Sequence, residues 1–453
     1  MPGDTRSLAD FAAGLQYELL DSGLVAKFKT YLLDAVGCAL HGTSQPWARI
    51  VTDYIREQKG EREATLWLQK FRGPSANVAL GLGVMIHSFD FDDYHNAKIH
   101  PGAPVIPAAL SMGEAIDASG RDVLTAMVTG YETMIRVSLA TGPNASRLRG
   151  WHLTGTTGTF GAAAAAGNLL RLGGDDMASA LGMAGTQSAG LWAFLADGAM
   201  SKRFHPGRAA QSGVMAACLA RKGFRGPTQI LEAEDGGFCR ATSDQVDLSL
   251  ITKDLGTRFV SGETNIKPYA CCASSHSAVD AILAIRKQHS FHVSDIEEVL
   301  VKTSEGVRVQ CGFPYRAQGV VEAQMSLQFI AAVALTDGAA FLDQFSESRI
   351  AEPPIMELAG RVRVVVDPDI DKLYPKRYPN RVEVILKDGR RFEMRIDFPK
   401  GSAEQPMSFD EVAAKFRSLA SFAVTRDRAD RIIDTVNRLE KLPSIRILRD
   451  LLV

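Results

Sequence analysis

A mainly helical protein is predicted, with a large all-helical domain and a smaller α+β domain inserted toward its C-terminal end. Three observations carry that expectation. Apolar residues recur at helical spacing through most of the first 225 positions. After about residue 267 a Val-rich, alternating pattern takes over, and from Ser408 to the end the helical period returns. The composition agrees with tightly packed helices: 40 glycines and an alanine run at 162–166 stand against only 8% aromatic residues. Small side chains let helices approach closely, although each buries little apolar area.

Residues 8–40 read as two helices parted near Asp21-Ser22-Gly23, with Leu24, Val25, Phe28, Tyr31, Leu32 and Val36 on one face and a stop at His41-Gly42. Further helices are predicted over 47–58, 75–89, 104–118, 123–139, 157–171, 176–189 and 209–222. No strand alternates with them, which argues against a parallel-sheet enzyme. Residues 296–303 and 361–366 then read as strands. Residues 381–386 and 391–396 form a hairpin around Lys387-Asp388-Gly389-Arg390, with Phe392, Met394 and Ile396 alternating with Arg391, Glu393 and Arg395. The expected division is an all-helical domain over 1–266, an α+β lid over 267–404, and C-terminal helices over 405–453 that complete the helical domain.

Charge and motif content exclude several classes. With 51 basic and 52 acidic residues and a net charge of −1, the chain has no global field for a polyanion, and no basic patch stands out. Neither nucleic acid nor a membrane is an expected partner. The N-terminal MPGDTRSLADFAAGL lacks a basic region followed by a long apolar stretch, so a cytoplasmic protein is expected. Six scattered cysteines contain no CxxC, which disfavours a disulfide framework, zinc ribbon or iron–sulfur cluster. Phosphate-loop, dinucleotide-binding, GxSxG and HExxH patterns are also missing. No cofactor and no metal are expected.

The richest chemistry is HSFDFDDYHNAKIHPG at 87–102, which puts three carboxylates and three imidazoles into fourteen positions after an apolar helix. Two chemistries fit it. Asp92-Asp93 with Asn96 resembles a magnesium-binding aspartate motif of helical synthases, and His/Asp clusters also serve helical phosphohydrolases. Alternatively Asp90 and His100 exchange protons without a metal, because an imidazole with a pKa near ~6.5 titrates around neutrality. The scarcity of aromatics speaks against a carbocation pocket. At 150–161, GWHLTGTTGTFG places His152 at the mouth of a Gly- and Thr-rich helix start, where backbone N–H groups attract carboxylates. Further on, SKRFHPGR gathers Lys202, Arg203 and Arg208 with a histidine, and KPYACCASSH supplies Lys267 and His276 at the domain junction, a common place for pockets.

Four segments taken in order, FDFDDYHNAKIHPGAPVIPAAL, GWHLTGTTGTFGAAAAAGNLL, SKRFHPGRAAQSG with GFRGP and LEAEDGGF, and KPYACCASSHSAVDA, resemble the MmgE/PrpD family. This is the family of 2-methylcitrate dehydratase, cis-aconitate decarboxylase and iminodisuccinate epimerase. The resemblance runs from about residue 8 to 439 and implies a helical domain with an inserted lid, a homodimer and metal-free chemistry. It implies acid–base roles for Asp90, His100 and His152, and contacts to a small di- or tricarboxylate from Tyr94, Lys202, Lys267 and His276. Tyr94 stands where cis-aconitate decarboxylases carry Thr, and Phe329 is aligned with their pocket Tyr; both departures point away from decarboxylation. The loop between Asp93 and His100 is shorter than that of 2-methylcitrate dehydratases. A hydro-lyase acting next to a carboxylate is the reading adopted. An epimerase, a decarboxylase, a magnesium-dependent enzyme using Asp92 and Asp93, and an inactive binding protein are the alternatives.

Overall fold

The computed structural model describes residues 3–196, 198–374 and 376–453. They form two units: the described residues up to Asn265 together with Ser408–Val453, and Ile266–Met407. The protein is mainly helical.

The first unit runs α1 (Asp4–Gly14), α2 (Ser22–Gly42), α3 (Pro46–Gln58), a small hairpin β1 (Ala64–Leu66) and β2 (Phe71–Gly73), α4 (Ser75–Ile86), α5 (Gly102–Ile116), α6 (Gly120–Ala140), α7 (Pro143–Leu148), α8 (Leu153–Leu169), α9 (Gly174–Gly185) and α10 (Ser201–Arg221). Local chemistry fixes several starts. Asp21 accepts the Leu24 N–H at 2.9 Å to open α2. Ser119 and Asp122 cap α6 reciprocally. Apart from Asn168, helix α8 carries only apolar and hydroxyl side chains, and all 17 of its residues are buried, so it is the central rod of the unit. It packs against α5, α6, α9 and α10.

Glycine sets how closely these helices approach. A Cβ on Gly130 of α6 would lie 2.7 Å from the Gly161 carbonyl of α8, and one on Gly207 of α10 would lie 2.4 Å from the Leu80 carbonyl of α4. The C-terminal helix Phe409–Ala420 returns to α2, where Phe416 covers Gly37. From it the buried Lys415 reaches Asp34 at 2.6 Å and the Phe91 carbonyl at 2.8 Å.

Several helix limits differ from expectation, among them the end of α9, at Gly185 rather than 189, and the start of α6, at Gly120 rather than 123. The 75–89 helix ends at Ile86, which frees His87 for the loop. Helix α8 starts at Leu153 rather than 157, and α10 at Ser201 rather than 209. Gly-Thr-Thr and Lys-Arg-Phe-His-Pro-Gly have turn propensity, but burial of the helix face overrides it.

The second unit contains β3 (Ile296–Thr303), β4 (Val362–Val366), β5 (Asn380–Leu386) and β6 (Arg391–Ile396) in the spatial order β4-β3-β5-β6. The β5–β6 pair is the expected hairpin, with Val382 opposite Met394 and Val384 opposite Phe392. Gly389 of its turn has a φ of 86°, which favours glycine. Strand β4 lies parallel to β3, a single parallel pair in an otherwise antiparallel sheet. Val299, Val301, Val382 and Val384 are fully buried, and the helix His276–Gln288 packs on β5 and β6.

Candidate active site

Between α4 and α5 the chain folds back on itself over residues 87–101. Asp90 has a φ of 54°, a left-handed conformation that costs about 1–3 kcal/mol for a residue with a side chain. Neighbouring contacts hold it. The Lys415 ammonium caps the Phe91 carbonyl and lies 3.7 Å from the centre of the Phe91 ring.

Within this loop the imidazoles and carboxylates pair specifically. His87 Nδ1 lies 2.9 and 3.0 Å from the two Asp92 oxygens, and both side chains are buried. Burial pushes the His87 imidazole down to about 4 despite the pull of Asp92. Burial alone would raise the Asp92 carboxyl, but the imidazoles of His87 and His100 hold it well below the ordinary range. At neutral pH the pair is therefore a carboxylate receiving Nδ1–H from a neutral imidazole. Asp93 behaves oppositely: burial pushes it well above the carboxylate range although the Tyr131 hydroxyl (2.7 Å) and the Gly102 N–H (2.9 Å) donate to it. Adjacent carboxyls in one loop thus have acidities driven apart.

His100 is set by a different contact. Its Nδ1 lies 2.9 Å from the Asp93 carbonyl oxygen, which can only accept, so Nδ1 carries the proton. Its backbone N–H donates to Thr154 Oγ1 at 3.1 Å, tying the loop to the first turn of α8. Nε2 is left facing Asp90 at 3.5 Å, and the same Asp90 oxygen is 2.8 Å from Lys202 Nζ in the first turn of α10. A ring nitrogen in a fixed tautomer beside an ammonium–carboxylate pair suits transfer of a proton at an anionic substrate.

His152 is the residue before α8 and is 2% exposed. Its Nδ1 is 2.9 Å from His205 Nδ1, its ring packs edge-on against Trp192 and Phe194, and its centroid is 6.2 Å from that of His87. Burial, with added repulsion from His87, Lys202, His205 and His100, pushes its pKa well below the usual value.

Asp90, His100 and Lys202 are therefore in direct contact, with His152 beside them. Tyr94 is half-buried and pairs through its backbone with Asn265, at 2.9 and 2.8 Å. Lys267 and His276 belong to the second unit. There Lys267 is 2% exposed, while His276 donates from Nε2 to the Cys271 carbonyl at 3.2 Å and packs on Tyr269. Arg203 does not join Lys202: its guanidinium stacks on Trp47 and its Nε donates to the Ser88 carbonyl. Arg208 pairs with Gln211 at the surface. Phe329 is buried and packs against Tyr315 and Phe345.

One grouping has the donor set of a cation site: ligand-type atoms of His87, Asp90, Asp92 and His100 lie within 4.8 Å of one another. Asp93 is not part of it, because its oxygens are committed to Gly102 and Tyr131. The Asp92–Asp93 pair that a magnesium motif needs is thus split. Sequence reasoning located the segments but missed three positions: His87 as the clasp on Asp92, His205 against His152, and Lys415 under the loop. The only sequence signal for the first was the five-residue spacing of His and Asp at a helix end.

Comparison with known proteins gives a consistent picture. The family model for the MmgE/PrpD N-terminal domain matches residues 6–251, and that for the MmgE/PrpD C-terminal domain matches residues 269–441. The cis-aconitate decarboxylase-like protein oryM of Aspergillus oryzae is 30% identical, across 96% of this chain and 94% of its own length. Cis-aconitate decarboxylase of Aspergillus terreus is 29% identical across 99% of this chain and 96% of its own. The Mus musculus cis-aconitate decarboxylase is likewise 29% identical, across 99% and 93%.

Proposed function

The chain belongs to the MmgE/PrpD family, and on that premise we propose that it is a metal-independent lyase acting on a small di- or tricarboxylic acid. The observation that carries this reading is the His100 imidazole, held in one tautomer by the Asp93 carbonyl with Nε2 beside Asp90 and Lys202. In a dehydration, one of His152 and Asp90 takes the proton next to a carboxylate while protonated His100 gives its proton to the leaving hydroxyl. The Lys202 ammonium offsets the negative charge that builds on the enolate-like intermediate. Lys267, His276 and Tyr94 are assigned to the remaining carboxylates. A homodimer in the cytoplasm is part of the same proposal; among the described residues, no helix is long and apolar enough to cross a membrane.

A second reading, decarboxylation, is favoured by a separate observation: the relatives named above are cis-aconitate decarboxylases or decarboxylase-like. Both reactions pass through negative charge next to a carboxylate, and the same residues serve either.

Mass spectrometry of products from citrate, 2-methylcitrate, cis-aconitate and iminodisuccinate distinguishes the readings. Loss of water from either of the first two supports dehydration, and loss of carbon dioxide from cis-aconitate supports decarboxylation. Deuterium wash-in at Cα of iminodisuccinate without loss of mass would make the protein an epimerase and overturn the lyase reading.

A further inference from the structure

We propose that His205 is a positioning and proton-relay residue, the link through which the buried His152 exchanges its proton with solvent. The inference deepens the functional reading above and rests on it for the part played by His152. Its basis is geometric. The two Nδ1 atoms are 2.9 Å apart across 53 residues of sequence, and two ring nitrogens at that distance share a single proton, one donating and the other accepting. The ring of His205 fits because two glycines leave space for it. A Cβ on Gly190 would lie 3.3 Å from its Cγ and Nδ1, and one on Gly155 would lie 3.1 Å from its Cβ. Gly190 also accepts the His152 N–H at 3.0 Å, so the segment that makes room for one ring fixes the backbone of the other.

The two rings differ in access. His152 is 2% exposed, whereas His205 is half-buried on the first turns of α10. The charged and titratable groups facing His152 are His87, His100, Lys202 and His205; Lys202 also faces His205, and Phe194 packs near both. Each of these groups disfavours positive charge on His152, so an imidazolium there is costly. A relay avoids it. When His152 Nε2 takes a proton from carbon, its Nδ1 proton passes to His205 Nδ1, and His205 Nε2 gives a proton to water. Both rings end neutral in the opposite tautomer, and one proton has moved from carbon to solvent. Run backward, the same steps deliver a proton and restore the starting tautomers. Burial pushes both imidazoles below their ordinary pKa, His205 to about 4, which favours the neutral forms that a tautomer relay needs.

The test uses the full-length protein labelled with 15N-histidine, its nine imidazoles assigned by substitution. The parent is expected to show one N–H proton coupled to two Nδ1 nitrogens, absent in both His152→Gln and His205→Gln; without such a signal the pairing is overturned. Exchange of the His152 imidazole proton with D2O is expected to slow about tenfold or more in His205→Gln, and to recover in proportion to added free imidazole. The kcat on whichever of the four carboxylates the parent turns over is expected to fall and recover in the same way, with KM unchanged. Unchanged exchange in a folded His205→Gln, or a loss that no concentration of imidazole restores, overturns the relay. A parent that turns over none of the four overturns the functional reading, and the exchange measurement then decides the relay by itself. Should His205→Gln fail to fold, the two-nitrogen coupling in the parent and exchange in His205→Asn decide it.

Discussion

An imidazole is useful in proton transfer when its tautomer is fixed, and a backbone carbonyl is a firm way to fix it because it can only accept. His100 is held so by Asp93, and its Nε2 is thereby committed to the side of Asp90 and Lys202. Replacing it by Gln is expected to lower kcat by about 10²-fold or more with the melting temperature little changed. Asp90→Asn is expected to lose activity to a similar extent while keeping the fold, because Asn tolerates the positive φ of 54°. Full turnover by either variant would remove these assignments. A second expectation concerns His95, which is buried and accepts the Ala97 N–H at its Nδ1, 3.0 Å away. Burial pushes it down to about 4, so in the unfolded chain, where it titrates near 6.5, it binds more protons than in the fold. Its contribution is full above pH 6.5 and is lost as pH falls toward 4, at up to ~1.4 kcal/mol per pH unit. His87 and His41, also pushed down to about 4, act in the same direction. Denaturant melts between pH 7 and 4.5 are expected to show a steep fall in stability that is shallower in His95→Asn, which keeps an acceptor but cannot titrate. Equal slopes would contradict it. At this scale the sequence named Asp90, His100, His152 and Lys202 by composition and order. It could not name the partners of those side chains, since a contact such as His152 with His205 spans 53 positions and follows no helical or strand period.

Elements were legible where their apolar period is strong and illegible where small residues erase it. Helix α3 and the β5–β6 hairpin follow their patterns because one face of each is apolar and the other is not. The start of α8 does not, because Leu153-Thr154-Gly155-Thr156-Thr157 has no polar face to contrast with a buried one. The same smallness is what permits its close packing. Gly207 of α10 makes the point measurable. In an exposed helix, Gly→Ala gains about 1 kcal/mol from backbone entropy. Here the added Cβ would lie 2.4 Å from the Leu80 carbonyl, a backbone atom that cannot swing aside. Overpacking of this kind costs about 1–3 kcal/mol, so Gly207→Ala is expected to be net destabilising. Gly14→Ala at the end of α1, where no atom lies within 4 Å of the added carbon, is expected to be neutral or stabilising by up to ~1 kcal/mol. Urea melts of the two variants decide the matter by sign. If Gly207→Ala gains stability, the close approach of α4 and α10 does not depend on glycine.

For the molecule as a whole, the net charge of −1 conceals a local problem of charge balance. Asp90 and the ionised Asp92 bring two negative charges to one loop, and of the cations on α10's first turns Lys202 pairs directly with Asp90 while Arg203 stacks on Trp47. A polycarboxylate brought to that loop adds further negative charge, so positive charge has to come from protonated imidazole, from the lysines, or from a bound cation. The first two sources need no metal, and the third would use the grouping of His87, Asp90, Asp92 and His100. They predict opposite outcomes. If protons and lysines balance the charge, dialysis against EDTA leaves turnover unchanged, kcat/KM rises as pH is lowered toward the imidazole range, and Lys202→Gln raises KM for the carboxylate substrate by about tenfold or more. If a cation balances it, EDTA abolishes turnover, Mg²⁺ or Mn²⁺ restores it, and the metal-independent reading fails. The first outcome is expected, because an ammonium already lies 2.8 Å from Asp90 and a dication entering there would meet like-charge repulsion from it.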